Sequence, residues 1–131
     1  LLTILFISLL SSPSWSETWN DSTLCCSDDL VFRDDLFYQK FTDVPFTGKV
    51  TGQYQGLIKN GERVGTWDKY YENGGLRYRG NFKNGRDGAW VFYYDNGQLY
   101  ARGNYKNGRQ VVPWIYYNVD GTKFSDWLTE D

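Results

Sequence analysis

The sequence predicts an all-β fold: an antiparallel β-meander of tandem 23–24-residue hairpin repeats, laid out as a single elongated or curved sheet. Three observations carry this expectation. An aromatic motif recurs, with Trp67, Trp90 and Trp114 spaced 23 and 24 residues apart. Asn-Gly pairs begin at Asn60, Asn73, Asn84, Asn96 and Asn107, at intervals of 11 to 13 residues, enough for one strand and one turn each. The composition agrees, since six Trp, eleven Tyr and eight Phe favour strands while fourteen Gly favour turns. A length of 131 residues leaves room for one domain.

The repeat is explicit in the residues. Gly65-Thr66-Trp67-Asp68-Lys69-Tyr70-Tyr71-Glu72-Asn73-Gly74-Gly75-Leu76 returns as Gly88-Ala89-Trp90-Val91-Phe92-Tyr93-Tyr94-Asp95-Asn96-Gly97-Gln98-Leu99. A more worn copy is Val112-Pro113-Trp114-Ile115-Tyr116-Tyr117-Asn118-Val119-Asp120-Gly121. Between the copies, Gly80-Asn81-Phe82-Lys83-Asn84-Gly85 matches Gly103-Asn104-Tyr105-Lys106-Asn107-Gly108. A fixed period of this length marks a repeat architecture in which each unit packs on its neighbours.

Asn and Gly tolerate the positive φ that tight hairpin turns require. A two-residue loop at Asn73-Gly74 pairs Glu72 with Gly75, Tyr71 with Leu76, Lys69 with Tyr78 and Trp67 with Gly80. The same register at Asn96-Gly97 pairs Tyr94 with Leu99, Phe92 with Ala101 and Trp90 with Gly103. Each Trp then faces a Gly and has space to cover bare backbone. The alternate turn is looser: Asn60 precedes Trp67 by seven residues but Asn84 precedes Trp90 by six, so a longer loop or a bulge must absorb the difference.

The pattern G-x-W-x-x-Y-Y-x-N-G-x-L followed by G-x-Y/F-K-N-G resembles the MORN-repeat variant of bacterial proteins, over roughly residues 46–124. Phe41-Thr42-Asp43-Val44-Pro45-Phe46-Thr47-Gly48-Lys49-Val50 is similar to the lead-in of such proteins. Many of them are labelled YwqK-type antitoxins of toxin–antitoxin systems. The resemblance implies an elongated β-meander of stacked hairpins and a protein partner, a toxin among the candidates.

Leu1-Leu2-Thr3-Ile4-Leu5-Phe6-Ile7-Ser8-Leu9-Leu10 is an uncharged apolar run of signal-peptide length, too short to cross a bilayer as a helix. Ser14-Trp15-Ser16 offers small residues for cleavage before Glu17. The expected organisation is a signal peptide at 1–16, N-terminally incomplete because the chain contains no Met, a flexible tail at 17–29, and a MORN-like β-repeat domain at 30–131 with Ser125–Asp131 as a worn cap. The expected location is exported, in the periplasm or secreted. The alternative is a buried N-terminal element in a cytoplasmic protein. Cys25 and Cys26 are adjacent, with Cα atoms about 3.8 Å apart, so a disulfide between them would be strained.

Catalytic groups are not expected. With no His there is no nucleophile–base pair, and neither cysteine lies in a motif that activates a thiolate. Two thiols without His do not complete a zinc site, no glycine-rich strand-to-helix loop cradles a phosphate, and Asp120-Gly121 alone makes no calcium loop. No cofactor is expected. Asp34-Asp35 reads as a turn between Val31-Phe32-Arg33 and Leu36-Phe37-Tyr38. The formal net charge of −2, with both signs interspersed, gives no footprint for nucleic acid or for an anionic membrane surface. Trp67, Trp90 and Trp114, with Tyr71 and Tyr94, read as core. Tyr70, Tyr93 and Tyr117 fall on the opposite face, where Arg79 and Arg102 complete a candidate interaction surface of the composition enriched at protein interfaces. The competing reading of these Tyr is a structural cross-strand ladder. The expected function is protein binding, antitoxin- or immunity-like. A cell-envelope or glycan-binding protein using exposed aromatics, or a lipid-associated scaffold, is the alternative.

Overall fold

A computed structural model describes residues 24–124. The leader, its cleavage site, the tail segment 17–23 and the cap at 125–131 lie outside the described residues. Among the described residues ten strands form: β1 (Leu24–Cys26), β2 (Leu30–Arg33), β3 (Leu36–Gln39), β4 (Gly48–Thr51), β5 (Tyr54–Lys59), β6 (Glu62–Tyr70), β7 (Leu76–Phe82), β8 (Arg86–Tyr93), β9 (Leu99–Lys106) and β10 (Arg109–Tyr116). From β4 to β10 each strand pairs antiparallel with the next in chain order, which is the expected meander.

The first part of the chain departs from expectation. Residues 24–29, assigned to the flexible tail, form β1 and a 3-10 turn at Ser27–Asp29, and β1 pairs parallel with β4. A parallel pair needs a long return, and residues 27–47 supply it. Within that return β2 and β3 form a separate two-stranded sheet, so the described chain has two sheets rather than one. Asp34-Asp35 is its turn, with φ of 49° and 61°. The hairpin is tied to the large sheet through backbone bonds at the β5–β6 turn: Phe37 N–H donates to Gly61 O, Phe46 N–H to Phe37 O and Gly61 N–H to Phe46 O.

The two kinds of Asn-Gly turn are exchanged relative to the sequence reading, except at Asn84-Gly85, which is the longer loop expected there. Asn60-Gly61 and Asn107-Gly108 are the tight two-residue loops, with positive φ at both residues and the pairs Lys59–Glu62 and Lys106–Arg109 closing them. Asn84 and Gly85 also have positive φ, but Phe82 pairs with Arg86, so Lys83 joins the loop and absorbs the missing residue before Trp90. At Asn73-Gly74 and Asn96-Gly97 only the Gly has positive φ. There Tyr71 N–H donates to Gly75 O and Gly74 N–H to Tyr71 O, giving a loop of three residues rather than two. A register shift between Lys69 and Tyr70 compensates, pairing Tyr70 with Leu76 in place of the expected Tyr71–Leu76. Tyr93 likewise pairs with Leu99 in place of Tyr94. Asn is needed at these turns for its side chain: Asn73 Oδ1 accepts from Gly75 N–H at 2.9 Å and Asn96 Oδ1 from Gln98 N–H at 3.0 Å.

Beyond the shifts the expected register holds, with Trp67 opposite Gly80, Lys69 opposite Tyr78, Trp90 opposite Gly103 and Phe92 opposite Ala101. Trp67 and Trp90 are buried in the core with Phe46, Val50, Ile58 and Phe82. Trp114, on the last described strand, has among the described residues a neighbouring strand on one side only and is half-buried. Each indole covers the glycine of the preceding strand, not the following one: Trp67 lies over Gly56, Trp90 over Gly80 and Trp114 over Gly103. Its Nε1–H then donates to the carbonyl one residue further on, at Leu57, Asn81 and Asn104, over 3.1, 3.2 and 3.2 Å. Bulges beside these positions, at Gln55/Leu57, Gly80/Asn81 and Val111/Ile115, interrupt the ladder there.

Candidate functional site

One row of paired residues crosses the sheet on the face opposite the Trp row: Gln55, Asp68, Arg79, Val91, Arg102 and Ile115. Each is the strand neighbour of a Trp or of a covered Gly, so alternation directs it away from the core. Asp68 and Arg79 form a bidentate ion pair, with Arg79 Nε and Nη2 donating to Asp68 Oδ1 and Oδ2 at 2.7 Å each. Tyr70 Oη donates to Asp68 Oδ2 at 3.3 Å. The Arg79 hydrogen bonds hold the Asp68 carboxyl below its ordinary range. Asp68, Tyr70 and Tyr93 in turn favour the charged form of Arg79. The structure therefore brings Tyr70, Tyr93 and Arg79 together on one face.

Arg102 has the same place one repeat later, but Val91 stands where Asp68 stands in the first unit. Among the described residues Arg102 forms no ion pair, and it is exposed. Tyr117 is set apart from the group. It lies past the end of β10, where its carbonyl accepts from Tyr94 Oη at 2.8 Å and its backbone bridges to Lys123.

Tyr71 and Tyr94, read from sequence as stacking partners of the Trp row, instead tie one unit to the next. Tyr71 Oη donates to Tyr93 O at 2.8 Å, and Asn73 Nδ2 donates to Asp95 O at 2.9 Å. One repeat on, Tyr94 Oη reaches Tyr117 O and Asn96 Nδ2 reaches Val119 O at 3.0 Å. The second Tyr of each pair is thus structural, which leaves the first, Tyr70 or Tyr93, for the face with the arginines.

Sequence reasoning missed two features. Asp68 follows from the register already in hand, because the pairing of Trp67 with Gly80 places Asp68 opposite Arg79. The other is an arginine at the start of each unit, Arg63 and Arg86, 23 residues apart. Both lie over the aromatic core face. Arg63 is 4.1 Å from the centre of the Phe82 ring and 5.9 Å from that of Trp67, and Arg86 is 4.7 Å from Trp90 and 5.2 Å from Tyr105.

Residues 63–84 and 86–107 match the family model described as the MORN repeat variant. No curated protein and no solved structure matches the chain. The two matched segments coincide with the β6–β7 and β8–β9 hairpins, each opening on its arginine and closing at the next Asn-Gly turn. MORN repeats generally take part in protein or membrane interactions. Two successive hairpins at the centre of this all-β sheet are thus similar to the MORN repeat variant.

Proposed function

We propose that the protein is a non-enzymatic, protein-binding repeat module, antitoxin- or immunity-like and acting after export, that engages its partner through Tyr70, Tyr93, Arg79 and Arg102. The observation that carries this reading is the contrast between two equivalent arginines. Arg79 is held by Asp68, whereas Arg102 presents its guanidinium from the same face with Val91 in place of the acid. Tyr and Arg side by side on a preformed sheet are the residue types that anchor protein interfaces. The resemblance to YwqK-type antitoxins supports a protein partner, a toxin among the candidates. The apolar run at residues 1–10 supports export. The balanced charge, with its net −2, favours a protein over an anionic membrane.

The test is the double substitution Tyr70→Ser/Tyr93→Ser, compared with the parent in pull-downs from the native host. Buried Tyr anchors cost about 2 kcal/mol or more on truncation, about thirtyfold in affinity. Capture of the partner should fall by that order while circular dichroism stays unchanged. Undiminished capture by a folded double variant would exclude this face.

A further inference from the structure

Arg63 and Arg86 occupy the same position in successive units, yet only one of them has an acceptor. Arg86 Nη1 donates to Tyr105 Oη at 2.9 Å. The residue equivalent to Tyr105, 23 positions earlier, is Phe82, which offers Arg63 a ring face and no oxygen. Phe37 adds a second ring, its centre 5.5 Å from the guanidinium. Among the described residues the Arg63 guanidinium forms no hydrogen bond and no ion pair. A half-buried guanidinium keeps its charge at a desolvation cost, and here burial does lower the pKa from the ordinary arginine value.

The position also faces open space. The β2–β3 hairpin, bonded to the β5–β6 turn, leaves beside the start of β6 and the end of β7 a cleft of about 730 Å³, lined by Phe32, Phe37, Arg63, Val64, Phe82 and Lys83 among others. Phe32 packs one side of its ring against Phe37, 4.8 Å between centres, yet among the described residues it remains 58% exposed at the cleft. The acids that share the lining, Asp35 and Glu62, make no ion pair with Arg63. They weigh against a multiply charged ligand such as a phosphate, and Arg63 with Lys83 weighs against a cation. A single carboxylate beside an apolar group meets both constraints.

We propose that this cleft binds an extended peptide segment in which one acidic side chain lies beside an apolar residue, its carboxylate bridging to Arg63 and its apolar neighbour covering Phe32. The rings of Phe37 and Phe82 lie over the guanidinium, leaving its N–H edge for a planar, bidentate acceptor. This site is separate from the Tyr70/Tyr93 face, and either can fail without the other.

The experiment titrates the chain with acetyl-Leu-Glu-Phe-amide and with its neutral counterpart acetyl-Leu-Gln-Phe-amide, following the Arg63 Nε–H resonance by NMR. The Glu peptide should bind about tenfold more tightly, as a charge-assisted hydrogen bond to a guanidinium implies, and should shift that resonance. Arg63→Gln should abolish the difference. Phe82→Tyr, which returns to Arg63 the acceptor that Arg86 has, should weaken the Glu peptide while leaving the fold intact, and so tests the idea even if Arg63→Gln unfolds. Tyr70→Ser/Tyr93→Ser should leave this binding unchanged. Equal affinities for the two peptides, no binding of either, or a shift located away from Arg63 would overturn the proposal. Tighter binding of acetyl-Leu-Phe as the free acid than of the Glu peptide would overturn the assignment to an acidic side chain.

Discussion

Trp90 lies so close over Gly80 that a Cβ built on the glycine would sit 2.0 Å from the indole Cδ2. The same contact recurs between Trp67 and Gly56 at 2.3 Å and between Trp114 and Gly103 at 2.4 Å. Gly56, Gly80 and Gly103 are therefore fixed by the tryptophan of the following strand, not by a turn. Gly80→Ala should destabilise the protein by about 1–3 kcal/mol, the usual cost of overpacking a core. Urea melts of Gly80→Ala, Trp90→Leu and the double variant would check the cause. If the clash is with the indole, the alanine costs less once Trp90 is shortened, and an additive double variant would mean that the strain lies elsewhere.

The register of the Trp strands was legible in the sequence because side-chain parity admits one answer. Only one alignment puts Trp67, Trp90 and the small residues Gly80 and Gly103 in a single row. Turn type was not legible, since Asn-Gly favours a two-residue loop but also fits a three-residue one. The choice is made where Tyr71 and Asn73 reach carbonyls of the next repeat, at Tyr93 and Asp95, contacts that exist only once the units are stacked. The β2–β3 hairpin was legible from its Asp34-Asp35 turn, but its docking and the parallel β1 strand had no local signal, because their partners lie far along the chain at Gly61 and Lys49–Thr51. At the candidate face Tyr70, Tyr93 and Arg79 were legible from alternation. The difference between Arg79 and Arg102 becomes visible only when Asp68 is set against Val91.

The two classes of Asn should respond differently to substitution. Asn107 has φ of 51°, in the left-handed region, so Asn107→Ala should cost on the order of 1 kcal/mol and Asn107→Gly little or nothing. Asn73 has no positive φ; it accepts from Gly75 N–H and donates to Asp95 O. Asn73→Gly should therefore cost stability where Asn107→Gly does not, and Asn73→Asp should retain the acceptor and lose only the bond to Asp95. Chemical denaturation of the four variants separates these outcomes; equal responses to glycine would show that the turns are of one type.

The Asp68–Arg79 pair should make stability depend on pH in one direction. The folded-state pKa of Asp68 is depressed, first by the Arg79 hydrogen bonds, so the folded protein binds its proton less readily than the unfolded chain. Its contribution is present above the unfolded value, about 3.9 for Asp, and is lost as pH falls through the lower folded value. The stability difference between the parent and Asp68→Asn should be constant at neutral pH and shrink below about pH 4. Urea midpoints measured for both proteins from pH 7 to pH 3 would show it, and a difference that grew on acidification would refute the pairing.

Val91 separates Arg79 from Arg102 in the cross-strand row, at the place that Asp68 has one repeat earlier. Val91→Asp should supply Arg102 with the carboxylate that its equivalent already has. An exposed pair of this kind adds at most about 1 kcal/mol, and the loss of a half-buried Val offsets part of it, so stability should change little. Partner capture should change much more, because a guanidinium already bridged by a neighbouring acid must break that bridge to meet another. The control is Val91→Asn, which has nearly the same shape without the charge. If Asp weakens capture and Asn does not, Arg102 acts through its unpaired charge. If both weaken it equally, the apolar surface of Val91 is the contact, and if neither does, the partner does not use this row.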